Sequence, residues 1–178
     1  MYKNLFNLKK KTIYVLGGSG LIGSETVNLL INHNAKVINL DIYEKKVKNF
    51  FEDKLIFEKF DCTNLKKSQA KLSKIFKKHG YPDAFINCSF PKTKNWHNNS
   101  FDKIDYITLK KNLEIHLNSS VWITKLVADV MKKRKIKGSI IQTGSIYGLV
   151  GQDKSIYLKT KMTENMSYSV IKGGINNF

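Results

Sequence analysis

The chain has 178 residues, enough for one domain with a hydrophobic core and too few to predict two. Hydrophobic residues make up 42% of it, which excludes a disordered or fibrous protein, and no apolar run approaches the roughly 20 residues of a membrane span. The net charge of +17 comes from scattered lysines, with Arg134 the only arginine, so specific nucleic-acid binding, which favours arginine forks, is not expected.

Residues 1–11 are polar and rich in lysine, without the apolar centre of a secretory signal. The chain has two cysteines, Cys62 and Cys88, whose spacing fits no metal-binding motif and which are too few for a disulfide framework. We therefore expect a cytoplasmic protein in reducing surroundings, with no metal site and no membrane partner.

Segments with strand character alternate with segments of helical periodicity along the chain. The predicted elements, in chain order, are strand 12–16, helix 21–33, strand 36–41, strand 55–60, helix 65–79, strand 83–88, helix 110–133, strand 138–144 and a helix from about Met166 to the C-terminus. Such alternation implies right-handed crossovers and a parallel sheet with helices on both faces. The predicted fold class is therefore α/β, a doubly wound parallel sheet with about five strands.

Two irregular stretches follow predicted strands, residues 96–99 and the longer stretch 147–165. Open α/β sheets bind ligands at the carboxyl ends of their strands. A loop as long as the second stretch is usually a lid or a binding loop. We therefore expect both stretches to lie near a ligand.

A glycine-rich turn, Gly17-Gly18-Ser19-Gly20-Leu21-Ile22-Gly23, joins the first predicted strand to the first helix. Its spaced glycines allow a tight turn and close packing, and the helix N-terminus offers free N–H groups to a pyrophosphate. At this junction the pattern predicts dinucleotide binding, with a plain tight turn as the alternative. The expected cofactor contacts are Gly17, Ser19, Gly20, Leu21, Ile22 and Gly23.

Asp41 ends the second predicted strand, where a dinucleotide fold often places an acid. A carboxylate there accepts hydrogen bonds from the ribose hydroxyls of the adenosine and repels a 2′-phosphate. Ile42 and Tyr43 follow it, and neither is basic. The sequence therefore favours NAD over NADP, the alternative being a solvated aspartate at a strand end.

Tyr168 and Lys172 lie four residues apart and therefore share one face of the last predicted helix. An ammonium beside a phenol favours the phenolate, which can take a proton from a substrate alcohol. Ser145, after the fifth predicted strand, can orient the same oxygen by a hydrogen bond. We predict Ser145, Tyr168 and Lys172 as a catalytic set.

Taken together, these motifs resemble those of the short-chain dehydrogenase/reductase family, over residues 11–178. Leu16 to Gly23 is similar to the cofactor turn, Thr143-Gly144-Ser145-Ile146-Tyr147-Gly148 to the catalytic serine segment, and residues 168–172 to the Tyr-x-x-x-Lys signature. The resemblance implies a single Rossmann-type NAD(P)-binding domain over residues 1–178. It also implies that Lys172 contacts the nicotinamide ribose and that Tyr168 lies at the cofactor.

The resemblance implies further cofactor contacts. Asp61-Cys62-Thr63 looks like the family's Asp-x-Thr stretch, whose aspartate lies beside the adenine. Ile86-Asn87-Cys88-Ser89 resembles the Asn-Asn-Ala-Gly stretch that follows the fourth strand. Asp61, Cys62 and Asn87 are therefore expected at the cofactor.

One of the departures from the family pattern concerns the catalytic lysine. The helix asparagine that supports the catalytic lysine through water in this family falls at His116, and Asn118, two residues on, faces elsewhere on a helix. His116 is either a polar support for that relay, and hence part of the catalytic set, or a satisfied interior histidine.

Residues 90–96, His116, the insertion 151–165 and residues 168–174 look most like the flagellin-modification type of this family, which is linked to the biosynthesis of nine-carbon sialic-acid-like sugars. The implied function is hydride transfer between a nicotinamide cofactor and a hydroxyl or carbonyl of a sugar or sugar-nucleotide. An epimerase or dehydratase that retains NAD, and a non-catalytic dinucleotide-binding module, are the alternatives.

Members of the family continue beyond the Tyr-Lys helix through a sixth strand, a further helix and a final strand, which supply a dimer surface. The resemblance therefore implies that the C-terminal part of the fold is missing from this chain and that the full-length protein is a homo-oligomer. On this basis we expect the 178-residue chain alone to bind NAD weakly and to show little activity.

Overall fold

The computed structural model describes residues 6–45 and 54–178, with a five-stranded parallel sheet at its centre. In chain order the strands are β1 (Thr12–Leu16), β2 (Lys36–Asp41), β3 (Leu55–Lys59), β4 (Ala84–Asn87) and β5 (Ser139–Gln142). Their order across the sheet is β3-β2-β1-β4-β5, and every neighbouring pair is parallel. The predicted doubly wound parallel sheet of about five strands is confirmed.

Five α-helices and several short turns complete the described fold. The α-helices are α1 (Leu21–Asn32), α2 (Leu65–His79), α3 (Tyr106–Asn112), α4 (Ser119–Lys133) and α5 (Met166–Asn177), and single 3-10 turns span Trp96–Asn98, Ile146–Gly148 and Lys154–Tyr157. The strand and helix ends predicted from the sequence agree with these bounds to within two residues, except at the helix predicted over 110–133.

That helix begins four residues earlier than predicted and changes its geometry along its length. It begins at Tyr106 because the Asp105 carboxylate caps it, accepting a hydrogen bond of 2.8 Å from the Thr108 N–H. A π-helical segment, Leu113–Asn118, joins α3 to α4, so the chain remains helical as far as Lys133. Such segments occur often at functional sites, and residue patterns do not reveal them.

The sheet has two apolar faces because alternate residues of each strand point to opposite sides. Tyr14 and Leu16 of β1 belong to the core that α2 and α4 complete. Ile13 and Val15 belong to the core that α1 completes. All four are less than 5% exposed, and burial of each such side chain contributes about 1.5–3 kcal/mol.

The chain divides into two compact units. The first holds the described part of Met1–Ser89 together with Ile123–Thr143, and it contains the whole sheet. The second consists of Phe90–Trp122 and Gly144–Phe178, and it contains α3, the π-helical segment and α5. A single domain over residues 1–178 stays a prediction. Within the described residues, no helix combines the length and apolar character needed to cross a membrane.

Candidate active site

The glycine-rich turn lies in the first unit, between β1 and α1. Gly17 has φ of 77°, in the left-handed region, and a Cβ there would lie 2.7 Å from the backbone N and Cα of Ser89. The Gly20 N–H donates to the Gly17 carbonyl over 3.1 Å, and a Cβ on Gly23 would collide with that same carbonyl oxygen. The turn therefore packs backbone against backbone, which larger residues at these positions would prevent.

Helix α1 opens directly from this turn with an uncovered N-terminus. Its N-cap is Gly20, and no side chain among the described residues caps the first turn. The side chains of Leu21 and Ile22 are 88% and 58% exposed, so the first turn faces solvent. Because the first N–H groups of a helix have no partner within it, they offer donors and a partial positive charge to an anion. The residues present therefore fit the pyrophosphate of a dinucleotide.

Asp41, at the end of β2, braces the same turn. Its Oδ2 accepts a hydrogen bond of 3.0 Å from the Ser19 N–H, and its Oδ1 accepts one of 2.7 Å from the Ile42 N–H. Asn39 adds a second contact, since its Nδ2 donates to the Ser19 Oγ over 3.0 Å. The acid predicted to bind a ribose is thus placed beside the predicted phosphate turn.

The remaining predicted cofactor contacts of the first unit differ in exposure. Asp61 is exposed, and its Oδ1 accepts a hydrogen bond of 2.9 Å from the Thr63 N–H. The Cys62 side chain lies in the core, at 8% exposure. Asn87 is 3% exposed, and its Oδ1 accepts hydrogen bonds from the N–H and the hydroxyl of Ser89, at 3.0 and 2.7 Å. Asn87 therefore shapes the loop that packs on Gly17.

In the second unit, α5 carries Tyr168 and Lys172 on one face. Lys172 is 3% exposed, whereas Tyr168 is half-buried. The Lys172 Nζ lies 5.8 Å from the centre of the Tyr168 ring and 6.0 Å from the centre of the Phe90 ring. The helix therefore holds a buried ammonium close to the face of the Tyr168 ring.

The turn that contains Ser145 packs against α5. The Ser145 Oγ accepts a hydrogen bond of 3.2 Å from the Tyr147 N–H, and the Asn176 side chain donates to the Ser145 carbonyl over 2.8 Å. A Cβ on Gly148 would lie 2.5 Å from the Lys172 carbonyl oxygen. The Ser145 turn is therefore fixed on the helix that bears Tyr168 and Lys172.

His116 lies in the π-helical segment and is 0% exposed. Its ring meets the Phe90 ring edge-on at 4.9 Å. Burial, and then the positive charge of Lys172, lower the pKa of His116 to about 3, so its imidazole is neutral near pH 7. Within residues 6–45 and 54–178, neither ring nitrogen has a hydrogen-bond partner, and the same holds for the Nδ2 of Asn112. Asn118 is exposed, as its position on the helix predicts.

The two stretches predicted to lie near a ligand supply Trp96 and Tyr147, which together with Phe90 surround Tyr168. The centre of its ring lies 5.9 Å from Phe90, 6.5 Å from Trp96 and 6.5 Å from Tyr147. No periodic pattern in these loops indicates such a cluster. Asn165, which caps α5 by accepting a hydrogen bond of 2.9 Å from the Tyr168 N–H, has a recognisable signal, an asparagine just before a helical run.

The predicted site residues form two groups, one in each unit. The first unit gathers the glycine turn, Asp41 and Asn87, and also holds Asp61 and Cys62. The second gathers Tyr168, Lys172 and His116, with Ser145 held on the same helix. The first group can bind a dinucleotide, and the second can exchange a proton with an alcohol or a carbonyl.

Comparison with known proteins identifies the family to which the chain is similar. A family model described as short chain dehydrogenase matches residues 11–176. Among solved structures, a short chain dehydrogenase from Leptospira borgpetersenii with bound NAD+ is similar at a TM-score of 0.85 and 26% identity, covering 100% of this chain and 66% of that one.

Two curated relatives extend the comparison. The chain is 28% identical to the post-translational flagellin modification protein A of Campylobacter coli, over 96% of this chain and 69% of the relative. It is 30% identical to the 3-oxoacyl-[acyl-carrier-protein] reductase FabG of Rickettsia typhi, over 93% of this chain and 68% of the relative. Across its curated relatives, the chain spans 54% to 69% of their length.

Proposed function

The chain belongs to the short-chain dehydrogenase family, and on that basis we propose an NAD(P)-dependent oxidoreductase that transfers a hydride between the cofactor and a hydroxyl or carbonyl of a sugar or sugar-nucleotide. The observation that carries the proposal is the buried ammonium of Lys172 beside the Tyr168 phenol, one helical turn apart. NAD is preferred to NADP, which Asp41 and the bound NAD+ of the Leptospira structure support.

The glycine turn and the first turn of α1 would hold the pyrophosphate through backbone N–H groups, and Asp41 the adenosine ribose. Asp61, Cys62 and Asn87 complete the proposed contacts, Cys62 through its backbone because its side chain lies in the core. When bound, the nicotinamide supplies the chemistry of accepting or giving the hydride.

The second unit supplies the proton chemistry. In oxidation the Tyr168 phenolate takes the proton of the substrate alcohol, and in reduction the Tyr168 hydroxyl gives its proton to the substrate oxygen. Lys172 stabilises the negative charge that then forms on the Tyr168 oxygen, an effect strengthened by its burial. The Ser145 hydroxyl donates to the substrate oxygen and holds it in place.

His116 is a positioning residue in this proposal. A neutral imidazole has one donor and one acceptor nitrogen, and buried polar groups of this kind are normally satisfied, often by ordered water. His116 lies close enough to Lys172 for the lysine's positive charge to lower the pKa of His116. It can therefore support the Lys172 ammonium through water. At the same position the family uses an asparagine.

The sugar-type substrate is supported by the 28% identity to a flagellin modification protein. Residues 90–96 and 168–174 of this chain, which resemble that type, support it as well. The half-buried aromatic rings beside Tyr168 also suit a ring-shaped substrate that carries polar groups. Homo-oligomer formation and a cytoplasmic location, both expected from the sequence, complete the proposal.

A single pair of variants tests the proposed acid/base. Tyr168→Phe keeps the ring and removes the proton, so NADH formation from a panel of sugars and sugar-nucleotides should fall by roughly 10²–10⁴-fold. Its affinity for NAD should change little. The matched control, Tyr106→Phe on the exposed surface of α3, should retain normal turnover.

Near-normal turnover in Tyr168→Phe would refute the assignment. Product formation without net NADH would favour the epimerase or dehydratase alternative. Tight binding of NAD by the unmodified chain, with no turnover of any sugar or sugar-nucleotide, would favour a non-catalytic dinucleotide-binding module.

A further inference from the structure

Several buried polar atoms of the second unit have no hydrogen-bond partner in the part of the chain that the structure describes. They include the Oγ1 of Thr93, the Nδ2 of Asn112 and both ring nitrogens of His116. Asn112 and His116 are each 0% exposed. Because buried polar groups are normally satisfied, if not by protein then by ordered water, these atoms have hydrogen-bonding capacity that remains to be used.

One short stretch of chain places Asn112 beside His116. The Phe90 ring meets the His116 ring at 4.9 Å, and three residues further on the Thr93 N–H donates to the Asn112 Oδ1 over 3.1 Å. Asn112 and His116 are four residues apart on one continuous helix, where such residues are neighbours with Cβ atoms about 5–6 Å apart. Residues 90–93 therefore lie along this helix and cover both side chains.

The bond from Thr93 fixes the direction of the Asn112 amide. Since the Oδ1 accepts from the Thr93 N–H, the Nδ2 occupies the other side of the amide and has two hydrogens to donate. The adjacent His116 imidazole is neutral near pH 7, so it has one donor and one acceptor nitrogen. No direct bond joins the two side chains in the described structure, and a gap of this size fits one water.

The protein groups around this gap supply more donors than acceptors. The Asn112 Nδ2 can only donate, whereas the Thr93 hydroxyl supplies one hydrogen and one oxygen that accepts. A water between them adds as many donors as acceptors, so it does not change this balance. The ring nitrogen of His116 that faces Asn112 is therefore needed as an acceptor, and the hydrogen of the ring belongs on the other nitrogen.

We propose that Asn112 is a positioning residue that holds His116 in one tautomer, through a buried water shared with the Thr93 hydroxyl. The unprotonated ring nitrogen faces Asn112, and the other presents its N–H. The inference rests on the proposed function, in which His116 supports Lys172 through water, and extends that support by one helical turn. A fixed tautomer gives the water beside Lys172 a constant donor, which a ring that exchanges tautomers would not.

The tautomer of His116 can be measured directly by nuclear magnetic resonance. In the 178-residue chain labelled with 15N at its four histidines, two-bond 1H–15N correlations distinguish a protonated ring nitrogen from an unprotonated one. The signals missing from His116→Asn identify those of His116. At about pH 8 one tautomer should exceed the other about tenfold, the ratio that one net hydrogen bond supports.

Two variants at Asn112 test the cause of that ratio. Asn112→Asp keeps an acceptor for the Thr93 N–H but replaces the donor by an oxygen that, when ionised, only accepts. The ring nitrogen that is unprotonated in the unmodified chain should therefore carry a hydrogen in this variant. Asn112→Leu supplies neither group and should lower the ratio several-fold. The matched control, Asn118→Asp, adds the same charge at an exposed residue of the same helical segment and should leave the ratio unchanged.

The inference is overturned if the unmodified chain mixes both tautomers, if Asn112→Leu leaves the ratio unchanged, or if the unprotonated nitrogen stays so in Asn112→Asp. Should Asn112→Leu fail to fold, Asn112→Asp still decides, because it retains the bond from Thr93. The spectra need neither NAD nor turnover, so they judge Asn112 separately from Tyr168. An active Tyr168→Phe variant with the His116 spectrum of the unmodified chain would refute the acid/base proposal alone.

Discussion

Each unit forms its own group of candidate site residues, and the two groups differ in the kind of contact that they make. In the first unit the contacts are made by backbone, because Gly17, Gly20 and Gly23 bring main chain against main chain and α1 presents bare N–H groups. In the second unit the contacts are made by side chains, since a buried lysine, a buried neutral histidine and a half-buried tyrosine lie together.

This difference has a physical consequence for what each unit can do. Backbone donors do not titrate, so they keep their geometry over a wide pH range. This property suits the binding of a phosphate that is always charged. Side chains with altered surroundings can exchange protons, but their burial costs stability. The first unit is thus suited to binding and the second to chemistry, and variants in each should fail in different ways.

The largest effect is expected from the buried charge of the second unit. Lys172→Met keeps an unbranched side chain but removes the ammonium, so turnover should fall by about 10³-fold, the usual size of losing one electrostatic contact in an active site. Steady-state kinetics measure it, with the exposed Lys161→Met as control. Turnover within a few fold of normal would mean that Lys172 is a structural lysine.

The first unit should fail by losing affinity. Gly23→Ala places a Cβ against the Gly17 carbonyl oxygen and forces the turn open, so NAD affinity should fall by about 10²-fold, or roughly 2.7 kcal/mol. Gly151→Ala, whose Cβ would meet nothing within 4 Å, is the matched control. Calorimetric titration with NAD compares them, and equal affinities would show that the turn does not need its glycines.

A pH-dependent loss of stability should come from the second unit. The pKa of His116 is about 3 in the folded chain and about 6.5 when unfolded, so below pH 6.5 the unfolded state takes up the proton first. Between about pH 7 and about pH 4.5 the unmodified chain should lose about 2–3 kcal/mol more stability than His116→Asn.

Urea unfolding at both pH values measures this difference, with the exposed His97→Asn as control. Parallel losses in the unmodified chain and His116→Asn would show that His116 is protonated normally in the folded state.

The smallest effect is expected at Asp41. Asp41→Asn keeps a carbonyl oxygen for the Ser19 N–H but removes the charge that repels a 2′-phosphate. The preference for NAD over NADP should therefore decrease by about tenfold, or 1.4 kcal/mol. Competition between the two dinucleotides measures this preference. Tighter binding of NADP than of NAD by the unmodified chain would contradict the role assigned to Asp41.

Local signals were enough for much of this molecule. The strand β1, a short run of β-branched and apolar residues, and the turn that follows it were predicted with correct bounds because both depend on neighbouring residues. The pair Tyr168 and Lys172 was also predicted, since helical spacing alone places residues four apart on one face. The π-helical segment at His116 was not predicted because no residue pattern requires it. The early start of α3 was not predicted because the Asp105 cap was not recognised in the sequence.

By itself, then, the sequence determined the α/β class, the order of the elements, the glycine turn and the tyrosine–lysine pair, because periodicity and turn chemistry act over a few residues. Only the tertiary structure decided that Lys172 and His116 are buried and that Phe90, Trp96 and Tyr147 surround Tyr168. Such contacts depend on segments far apart in the chain, and burial depends on everything that packs around a group. The electrostatics of the second unit therefore could not be read from spacing.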